Sequence, residues 1–356
     1  MTITHEFVNI VSIVKKGGDY LAEMNNRPTM EDVAREAGVA LGTVSKVVNN
    51  QRVGENYRLK VEKAIETLGY RYNSSGRALR TNKTATVALI VPSLHPFYAM
   101  LIYHVNIALS EHNYRTLLFI TQEDYSKEIE CIQLAAENRV DGIIALTYNP
   151  SLDIPKDIRF VTIDRFFSKD IPCVASDNFE GGRIAVHKLH ELGCKNLAML
   201  FSCSSLRNEP SKRRDGFVSA CEELGMPYGI KVIEEVQSVT PANLYQPLID
   251  YLHEHFHDGR LDFDGIFCGS DTLANHTRRA LKKMGLRIPE DVQIIGYDGI
   301  REFNNGDYVV STIVQPIQEM AETCVSTILS DDFSSRPSLI CLPVEFADGG
   351  TTRKLP

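Results

Sequence analysis

The chain has 356 residues, which is long for one ordinary domain and predicts two or three. Its 43% hydrophobic and 24% charged residues are typical of a globular protein, and no apolar run approaches the length of a membrane span. We therefore expect no membrane segment. The beginning of the chain is not a convincing signal peptide, because Glu6 and Asn9 interrupt its apolar part and Lys15 and Lys16 follow it.

Cysteine and histidine usage bears on the compartment and on cofactors. The eight cysteines include no Cys-x-x-Cys pair, so their spacing argues against a zinc site or a redox motif. Free thiols buried in a reducing cytoplasm are the simplest interpretation, and we expect a cytoplasmic protein. Within the cluster His253, His255 and His257, the first and last would share a face of a helix, but no third metal ligand is apparent. No metal or other cofactor is predicted.

The net charge of −8 is distributed unevenly along the chain. Residues 27–83 carry 11 Lys and Arg against 6 Asp and Glu, a charge of +5, which leaves −13 for the remainder. A basic segment attracts nucleic-acid phosphates while an acidic body repels them, so DNA should meet only the small basic segment. This asymmetry favours a DNA-binding protein independently of any motif.

Residues 1–26 form an N-terminal extension in which Lys15 to Asp19, Lys-Lys-Gly-Gly-Asp, breaks any helix begun upstream. A purine-rich ribosome-binding sequence would encode Lys-Gly-Gly-Asp if it were translated. One hypothesis is therefore that the extension is not native and that the true start lies at Leu21 or Met24. A disordered arm near DNA is the alternative.

Residues 29–49 predict two short helices joined by a tight turn. Thr29 can cap the first helix, and Gly38 can supply the corner that follows it. Two short helices joined in this way form a helix-turn-helix, whose second helix lies in the DNA major groove. An arbitrary helical hairpin is the alternative, but it leaves the polar outer face of the second helix unexplained. That face carries Thr43, Ser45, Lys46 and Asn49.

This segment, together with Val53, residues 58–70 and residues 73–80, resembles the DNA-binding headpiece of the LacI/GalR family of transcription regulators. The resemblance covers essentially the whole chain, as far as Arg353. It implies a headpiece at residues 27–72, a hinge helix or linker at residues 73–83, and an effector-binding and dimerisation domain at residues 84–356.

The function implied by the resemblance is that of a repressor that binds a palindromic operator in double-stranded DNA as a homodimer. A small molecule, expected to be a sugar or sugar phosphate, would change the angle between two lobes and so the spacing of the headpieces. Coupling of about 1–3 kcal/mol is typical of such switches. A tetramer is not expected, because nothing after Thr352 could form apolar heptads.

Two other classes of protein fit the sequence less well. A periplasmic solute-binding protein would need a signal peptide and no basic head. An enzyme on the same fold is not supported either, because we find no nucleophile elbow, P-loop, dinucleotide fingerprint or metal motif.

The start of the second helix is expected to contact DNA. Leu41 offers only apolar contact and Gly42 offers no side chain, so Lys46 is the one strong donor to guanine acceptors. Lys46 could equally touch phosphate alone, as Thr43 and Ser45 are expected to do. The family usually has Ser or Asn where this chain has Ala40, which removes a cap and a phosphate contact. The expected DNA-contacting residues are Thr29, Ala40, Leu41, Gly42, Thr43, Ser45, Lys46, Asn49, Arg77 and Leu79.

Residues 73–80 resemble the hinge helix of the family, which folds in the minor groove. Leu79 occupies the position that wedges between base pairs and bends the duplex, and Arg77 is placed to follow the groove. Leu79 could instead be a linker residue packed on the body. Gly76 replaces the usual Ala and costs a helix up to about 1 kcal/mol, so this hinge should be less ordered away from DNA.

From Thr86 onward, short apolar runs alternate with amphipathic helical segments. The predicted strands are 87–91, 116–120, 142–146, 160–163, 197–201, 265–268 and 292–296. The predicted helices lie near 97–112, 125–138, 180–192, 211–224, 242–256, 271–284 and 316–330. This alternation predicts parallel sheets covered by helices on both faces, with too many strands for one compact sheet. The expected fold is a small all-α helix-turn-helix headpiece plus an α/β body of two doubly wound parallel-sheet lobes.

The resemblance adds that the body is like a periplasmic binding protein. The chain would cross between the lobes three times, near residues 175, 315 and 333. The implied N-lobe is about 84–175 and 316–332, and the implied C-lobe is about 176–314 and 333–356.

Ligands of doubly wound sheets bind beyond the carboxyl ends of the strands. This rule alone selects five residues that follow predicted strands: Ser93, Asp164, Ser270, Asp271 and Asp298. Carboxylates at this edge suit hydroxyl-rich ligands, since their oxygens accept hydrogen bonds. Asp271 could equally cap the helix that follows it.

The resemblance implies an overlapping set of effector contacts: His95, Phe97, Tyr98, Asp164, Arg165, Arg183, Asp298 and Gln315. Phe97, Tyr98 or Phe166 could supply the apolar face for a sugar ring, because the chain has no Trp. Other interpretations stay open. Phe97 and Tyr98 could be core residues, Asp164 and Arg165 could form a local ion pair, and Arg183 could hold the cleft by a salt bridge.

Overall fold

The computed structural model describes residues 28–48, 51–70, 83–147, 149, 152–203, 208–234, 245–302 and 306–354. The chain divides into two compact units, residues 1–82 and residues 83–356. None of the helices in these ranges is long and apolar enough to cross a membrane. The same residues contain no group of three or more His, Cys, Asp or Glu side chains that could hold a metal ion.

The described part of the first unit contains three helices: α1 (Met30–Ala37), α2 (Leu41–Val48) and α3 (Glu55–Leu68). Thr29 caps α1, because its hydroxyl accepts a hydrogen bond from the Asp32 amide at 3.3 Å. The Asp32 carboxylate accepts one from the Thr29 amide at 2.9 Å, and these bonds lower the pKa of Asp32. Gly38 has φ 62°, the left-handed conformation that favours glycine, and ends α1. The core contains Val33, Val44, Val47, Val61, Ala64 and Tyr70. The predicted helix-turn-helix is confirmed.

The described residues of the second unit form fourteen strands and seven α-helices. The strands are β1 (Thr86–Val91), β2 (Arg115–Ile120), β3 (Gly142–Leu146), β4 (Phe160–Ile163), β5 (Cys173–Ser176), β6 (Leu197–Cys203), β7 (Tyr228–Glu234), β8 (Phe256–His257), β9 (Arg260–Leu261), β10 (Gly265–Cys268), β11 (Gln293–Asp298), β12 (Thr312–Val314), β13 (Leu339–Leu342) and β14 (Glu345–Ala347). The helices are α4 (Pro96–Glu111), α5 (Tyr125–Glu137), α6 (Asn178–Glu191), α7 (Lys212–Leu224), α8 (Gln246–Glu254), α9 (Asp271–Lys283) and α10 (Ile317–Leu329).

The N-lobe is a parallel sheet of six strands in the order β13-β5-β4-β3-β1-β2. Alternate residues of β1 face opposite sides of this sheet, and both sides are buried. Leu89 packs with α4 and α10 on one side, while Ile90 packs with α5 on the other. A strand that is buried on both faces consists of a nearly continuous run of apolar residues, which is why β1, β3 and β4 are predictable from the sequence.

The C-lobe is a second sheet of six strands, in the order β14-β12-β11-β10-β6-β7, with β14 antiparallel to β12. Helices α6 and α7 cover one face, and α8 and α9 cover the other. The two doubly wound lobes confirm the expected fold.

Because α8 ends at Glu254, His253 and His257 do not share a helix face, and the His255 ring lies 3.0 Å from an oxygen of Asp262.

The chain crosses between the two sheets after β5, after β12 and after β13. The third crossing differs from the expectation of residue 333, because β13 pairs in parallel with β5 in the N-lobe sheet. The crossing therefore lies between Leu342 and Glu345, and only the residues from β14 onward join the C-lobe sheet. Strand β13 is only partly buried, so it lacks the apolar run by which β1 was recognised.

Candidate functional site

Two aspartates lie at the carboxyl ends of strands in the two lobes. Asp164 follows β4 and Asp298 ends β11, and they are 2% and 7% exposed. Both have positive φ, 58° and 125°, in a region that side chains other than glycine rarely occupy. Backbone strain of this kind is concentrated at functional sites.

A buried arginine lies close to both carboxyl groups. Arg213, in the first turn of α7, is 6% exposed, and its Nη1 lies 3.9 Å from Asp298 Oδ1. Burial raises the pKa of Asp164 and of Asp298 to about 6, although the positive charge of Arg213 lowers both values. We call Asp164, Arg213 and Asp298 the central cluster.

The position of Arg213 is fixed by hydrogen bonds and by close helix packing. Its Nε donates to Asn178 Oδ1 at 2.7 Å, and its Nη1 donates to the Gly269 carbonyl at 2.6 Å. The guanidinium carbon lies 3.6 Å from the centre of the Tyr297 ring. Gly182 in α6 allows α7 to approach, because a Cβ there would lie 2.1 Å from the Arg213 carbonyl oxygen.

Asp298 is also linked to residues at two of the crossings, directly to Gln315 and through Gln315 to Ser176. Gln315 Nε2 donates to Asp298 Oδ1 at 2.8 Å, and Gln315 Oε1 accepts from Ser176 Oγ at 2.8 Å. Ser176 Oγ lies 3.2 Å from the Tyr297 hydroxyl, whose pKa burial raises to about 12. Asn178 Nδ2 closes the ring by donating to the Ser176 carbonyl at 2.9 Å. The central cluster is therefore connected directly to the segments that join the lobes.

The backbone of Asp164 also contacts the C-lobe. Its carbonyl oxygen accepts a hydrogen bond from the Glu209 amide at 3.0 Å. Glu209 is 7% exposed, and its carboxylate pairs with Lys212 at 2.6 Å. The negative charge of Glu209 contributes to the raised pKa of Asp164.

Ser270, and not Asp271, caps α9. Ser270 Oγ accepts a hydrogen bond from the Leu273 amide at 3.2 Å. Asp271 is fully buried, and its Oδ2 accepts a hydrogen bond from the Ile300 amide at 2.7 Å. Burial and the nearby charge of Asp298 raise the pKa of Asp271 well above its usual value. Asp271 thus supports the segment after β11 through Oδ2, while its Oδ1 is buried without a partner among the described residues, so its expected effector contact stays a prediction.

Arg183, an expected effector contact, forms salt bridges that fit the alternative interpretation. Its guanidinium pairs with Glu223 of α7 at 2.8 Å and with Glu180 of α6 at 3.5 Å, and its effector contact stays a prediction. The arginine beside Asp298 is Arg213, which sequence reasoning missed. The sequence does not separate the two arginines by their glycine neighbours, because Gly181 and Gly182 precede Arg183 as Gly216 follows Arg213.

Arg165 is also placed differently from the expectation. Its Nη1 donates to the Asn149 carbonyl at 2.6 Å, and its guanidinium stacks on Phe167 at 4.1 Å, instead of forming a salt bridge with Asp164. Burial raises the pKa of the Glu128 carboxyl group to about 7, and the positive charge of Arg165 partly offsets this rise. Arg165 thus belongs to the interior of the N-lobe.

The segment after β1 brings one polar and several aromatic candidates to the same edge of the sheet. Ser93 Oγ is buried and has no hydrogen-bond partner among the described residues. His95 is exposed at the start of α4, with its ring 6.1 Å from that of Tyr98. Phe97 lies in the N-lobe core, as the core interpretation expects, and Tyr98 packs against that core; their effector contacts stay predictions. Phe166 remains 43% exposed.

In the headpiece, most of the described residues expected at DNA lie on α2 or just before it. Ala40, Leu41, Gly42 and Lys46 are exposed, and Thr43 and Ser45 are half-buried. The hydroxyl of Thr29 is engaged by Asp32, so its observed role is to cap α1. Asn49, Arg77 and Leu79 lie outside the described residues.

Comparisons with known proteins match both units. The model of the bacterial regulatory proteins of the lacI family matches residues 29–73, and that of the periplasmic binding proteins and sugar binding domain of the LacI family matches residues 84–335. The sucrose operon repressor of Streptococcus mutans is 30% identical, over 90% of this chain and 98% of its own. The ribose operon repressor of Halalkalibacterium halodurans is 32% identical, over 85% of this chain and 88% of its own. The crystal structure of the lac repressor dimer bound to operator and the anti-inducer ONPF is 21% identical, with a TM-score of 0.74 over 92% of this chain and 99% of that one. The chain therefore belongs to the LacI family of bacterial regulatory proteins.

Proposed function

We propose that the protein is a cytoplasmic, homodimeric repressor whose affinity for a palindromic operator is changed by a sugar bound between the lobes. The observation that carries this proposal is the central cluster, which joins the two lobes in a buried site. Asp164 Oδ1 has no hydrogen-bond partner among the described residues. A buried acceptor without a donor is unfavourable, and a sugar hydroxyl is a donor of the kind that it lacks.

The proposed mechanism starts with hydroxyl groups that donate to Asp164 in one lobe and to Asp298 in the other. Occupancy would then change the angle between the lobes, because Gln315 and Ser176 bond the central cluster to two crossings. A change of lobe angle in each protomer alters the distance between the two headpieces. The exposed start of α2 would then fit, or fail to fit, successive major grooves.

A thermal-shift screen with sugars, sugar phosphates and purines tests the effector proposal. A ligand of the proposed site should raise the unfolding temperature of the wild type and have little effect on the Asp298→Asn variant, which keeps the side-chain shape. The ligand should be recovered unchanged after incubation, since no turnover is proposed. It should also change the affinity for palindromic promoter fragments at moderate salt. The proposal would be overturned if the protein bound random and palindromic fragments with equal affinity, both without ligand and with each ligand tested.

The homodimer is proposed to form through an apolar surface of the N-lobe. Tyr103 and Ile107 on α4, with Leu118 and Ile120 on the edge strand β2, are exposed by 38–62%. Exposed apolar side chains that lie together are typical of protein interfaces. We call these four residues the α4–β2 patch.

Replacing Leu118 with aspartate is expected to weaken the dimer by about tenfold or more, because a charge would be buried at an apolar interface. Sedimentation equilibrium would measure the change. Leu134→Asp is the matched control, since Leu134 is 45% exposed on α5, which packs on the opposite face of the sheet. Equal dimerisation of the two variants would show that the interface lies elsewhere.

A further inference from the structure

The described residues at the central cluster include more acidic than basic groups. Asp164, Asp298 and Glu209 are each more than nine-tenths buried, and Asp271 is fully buried beside Asp298. The cations described beside them are Lys212, which is paired with Glu209, and Arg213. Among the described residues, Arg213 is therefore the cation that offsets the charges of Asp164 and Asp298.

These acidic groups act on one another as well as on Arg213. The charge of Glu209 raises the pKa of Asp164, and the charge of Asp164 raises the pKa of Asp298, in addition to the larger effect of burial. The charge of Asp298 raises the pKa of Asp271 in the same way. A further negative charge at this position would meet the same repulsion in a poorly solvated site.

The central cluster also contains a buried acceptor that lacks a donor. Two of the five N–H donors of Arg213 are already used by Asn178 Oδ1 and the Gly269 carbonyl. By contrast, Asp164 Oδ1 is buried without a partner among the described residues. Hydroxyl groups donate to carboxylates, whereas a phosphate group needs cations or N–H donors.

We infer that the effector is an uncharged sugar or polyol whose hydroxyl groups donate to Asp164 and Asp298, and that phosphorylated sugars are rejected by the acidic cluster. This inference rests on the proposed function and narrows its ligand class. Rejection arises from charge: a phosphate monoester adds one to two negative charges to a site where the described acids already outnumber the bases.

The test uses the full-length protein and pairs of ligands that differ only in a phosphate group, such as glucose with glucose 6-phosphate, fructose with fructose 1-phosphate, and sucrose with sucrose 6-phosphate. Isothermal titration calorimetry at neutral pH would measure each dissociation constant. For the pair that binds, the neutral member should bind about tenfold or more tightly than its ester.

The Asp164→Asn variant separates rejection by charge from rejection by size, because asparagine has nearly the same shape as aspartate. The variant should bind the neutral sugar more weakly than the wild type does. The difference in affinity between the sugar and its ester should also be smaller in the variant. A second readout is pH: as the pH falls toward 5, below the pKa of about 6 of Asp164 and Asp298, both carboxyl groups increasingly take up protons. The neutral sugar should then bind more weakly and the ester more tightly.

Two results would overturn the inference. Tighter binding of the ester by the wild type would show that the site carries a cationic subsite. If the ratio of the dissociation constants of the sugar and its ester is the same in Asp164→Asn as in the wild type, size alone excludes the ester. Failure of every sugar and every ester to bind would refute the proposed sugar-responsive function itself, which is a separate result.

Discussion

Replacing Arg213 with methionine is expected to weaken effector binding by about tenfold or more and to reduce the effect of the ligand on DNA affinity. It should also lower the folding stability by about 3–5 kcal/mol, because the partner charge stays buried without compensation. In this protein two carboxyl groups, Asp164 and Asp298, would lose the cation that lowers their pKa values. They would become protonated and would accept sugar hydroxyls less well.

Titration calorimetry with the ligand found by screening would measure the loss, and circular dichroism would show whether the variant is folded. Arg214→Met is the matched control, since Arg214 is the next residue along α7 and its side chain is 43% exposed. Arg183→Met is the second control, because the guanidinium of Arg183 pairs with Glu223 and not with Asp298. A folded Arg213→Met variant that retains wild-type affinity would contradict the assigned site.

Adding a methyl group at Gly216 is expected to destabilise the body of the protein by about 1–3 kcal/mol or more. A Cβ at this position would lie 1.9 Å from the carbonyl oxygen of Phe179, so α7 would have to move away from α6. The obstacle is backbone, which cannot rotate aside as a flexible side chain could. The same movement would draw Arg213 away from Asn178, so the Gly216→Ala variant should lose effector affinity as well as stability.

Thermal unfolding with and without ligand would measure both effects, and a loss of several degrees is expected for a domain of this size. Ser219→Ala, three residues further along α7, is the control. It removes one hydrogen bond of 3.4 Å from Arg183 and adds no atoms to the helix contact. An unfolding temperature of Gly216→Ala equal to that of Ser219→Ala would show that α6 and α7 are not packed as closely as described.

The sequence allowed the two lobes to be predicted because their central strands are buried on both faces. The runs at β1, β3 and β4 contain few polar residues, and their length separates them from helices. Strands at or near the edge of a sheet carry a weaker signal. β13 is half-exposed along most of its length, so its pairing with β5, and hence the third crossing, could not be read from hydrophobicity.

The same limit applies to the candidate site. Asp164 and Asp298 follow strands, and the rule for doubly wound sheets locates such residues without knowledge of any tertiary contact. Arg213 lies on a helix, and its position beside Asp298 depends on how closely α7 packs against α6. Arg183 and Arg213 are both helical arginines near glycines, so only three-dimensional packing distinguishes the buried Arg213 from the partly exposed Arg183.

The ring of hydrogen bonds through Ser176, Gln315 and Asp298 has a consequence for redesign of the sensor. A substitution at Asp298 that suits a different sugar would also disturb the two crossings, so recognition and response would change together. Leu94 and Phe166 are 62% and 43% exposed near the same edge of the N-lobe sheet, and neither belongs to the ring. A library that varies these two residues could therefore alter which ligand is detected while preserving the way in which detection is transmitted.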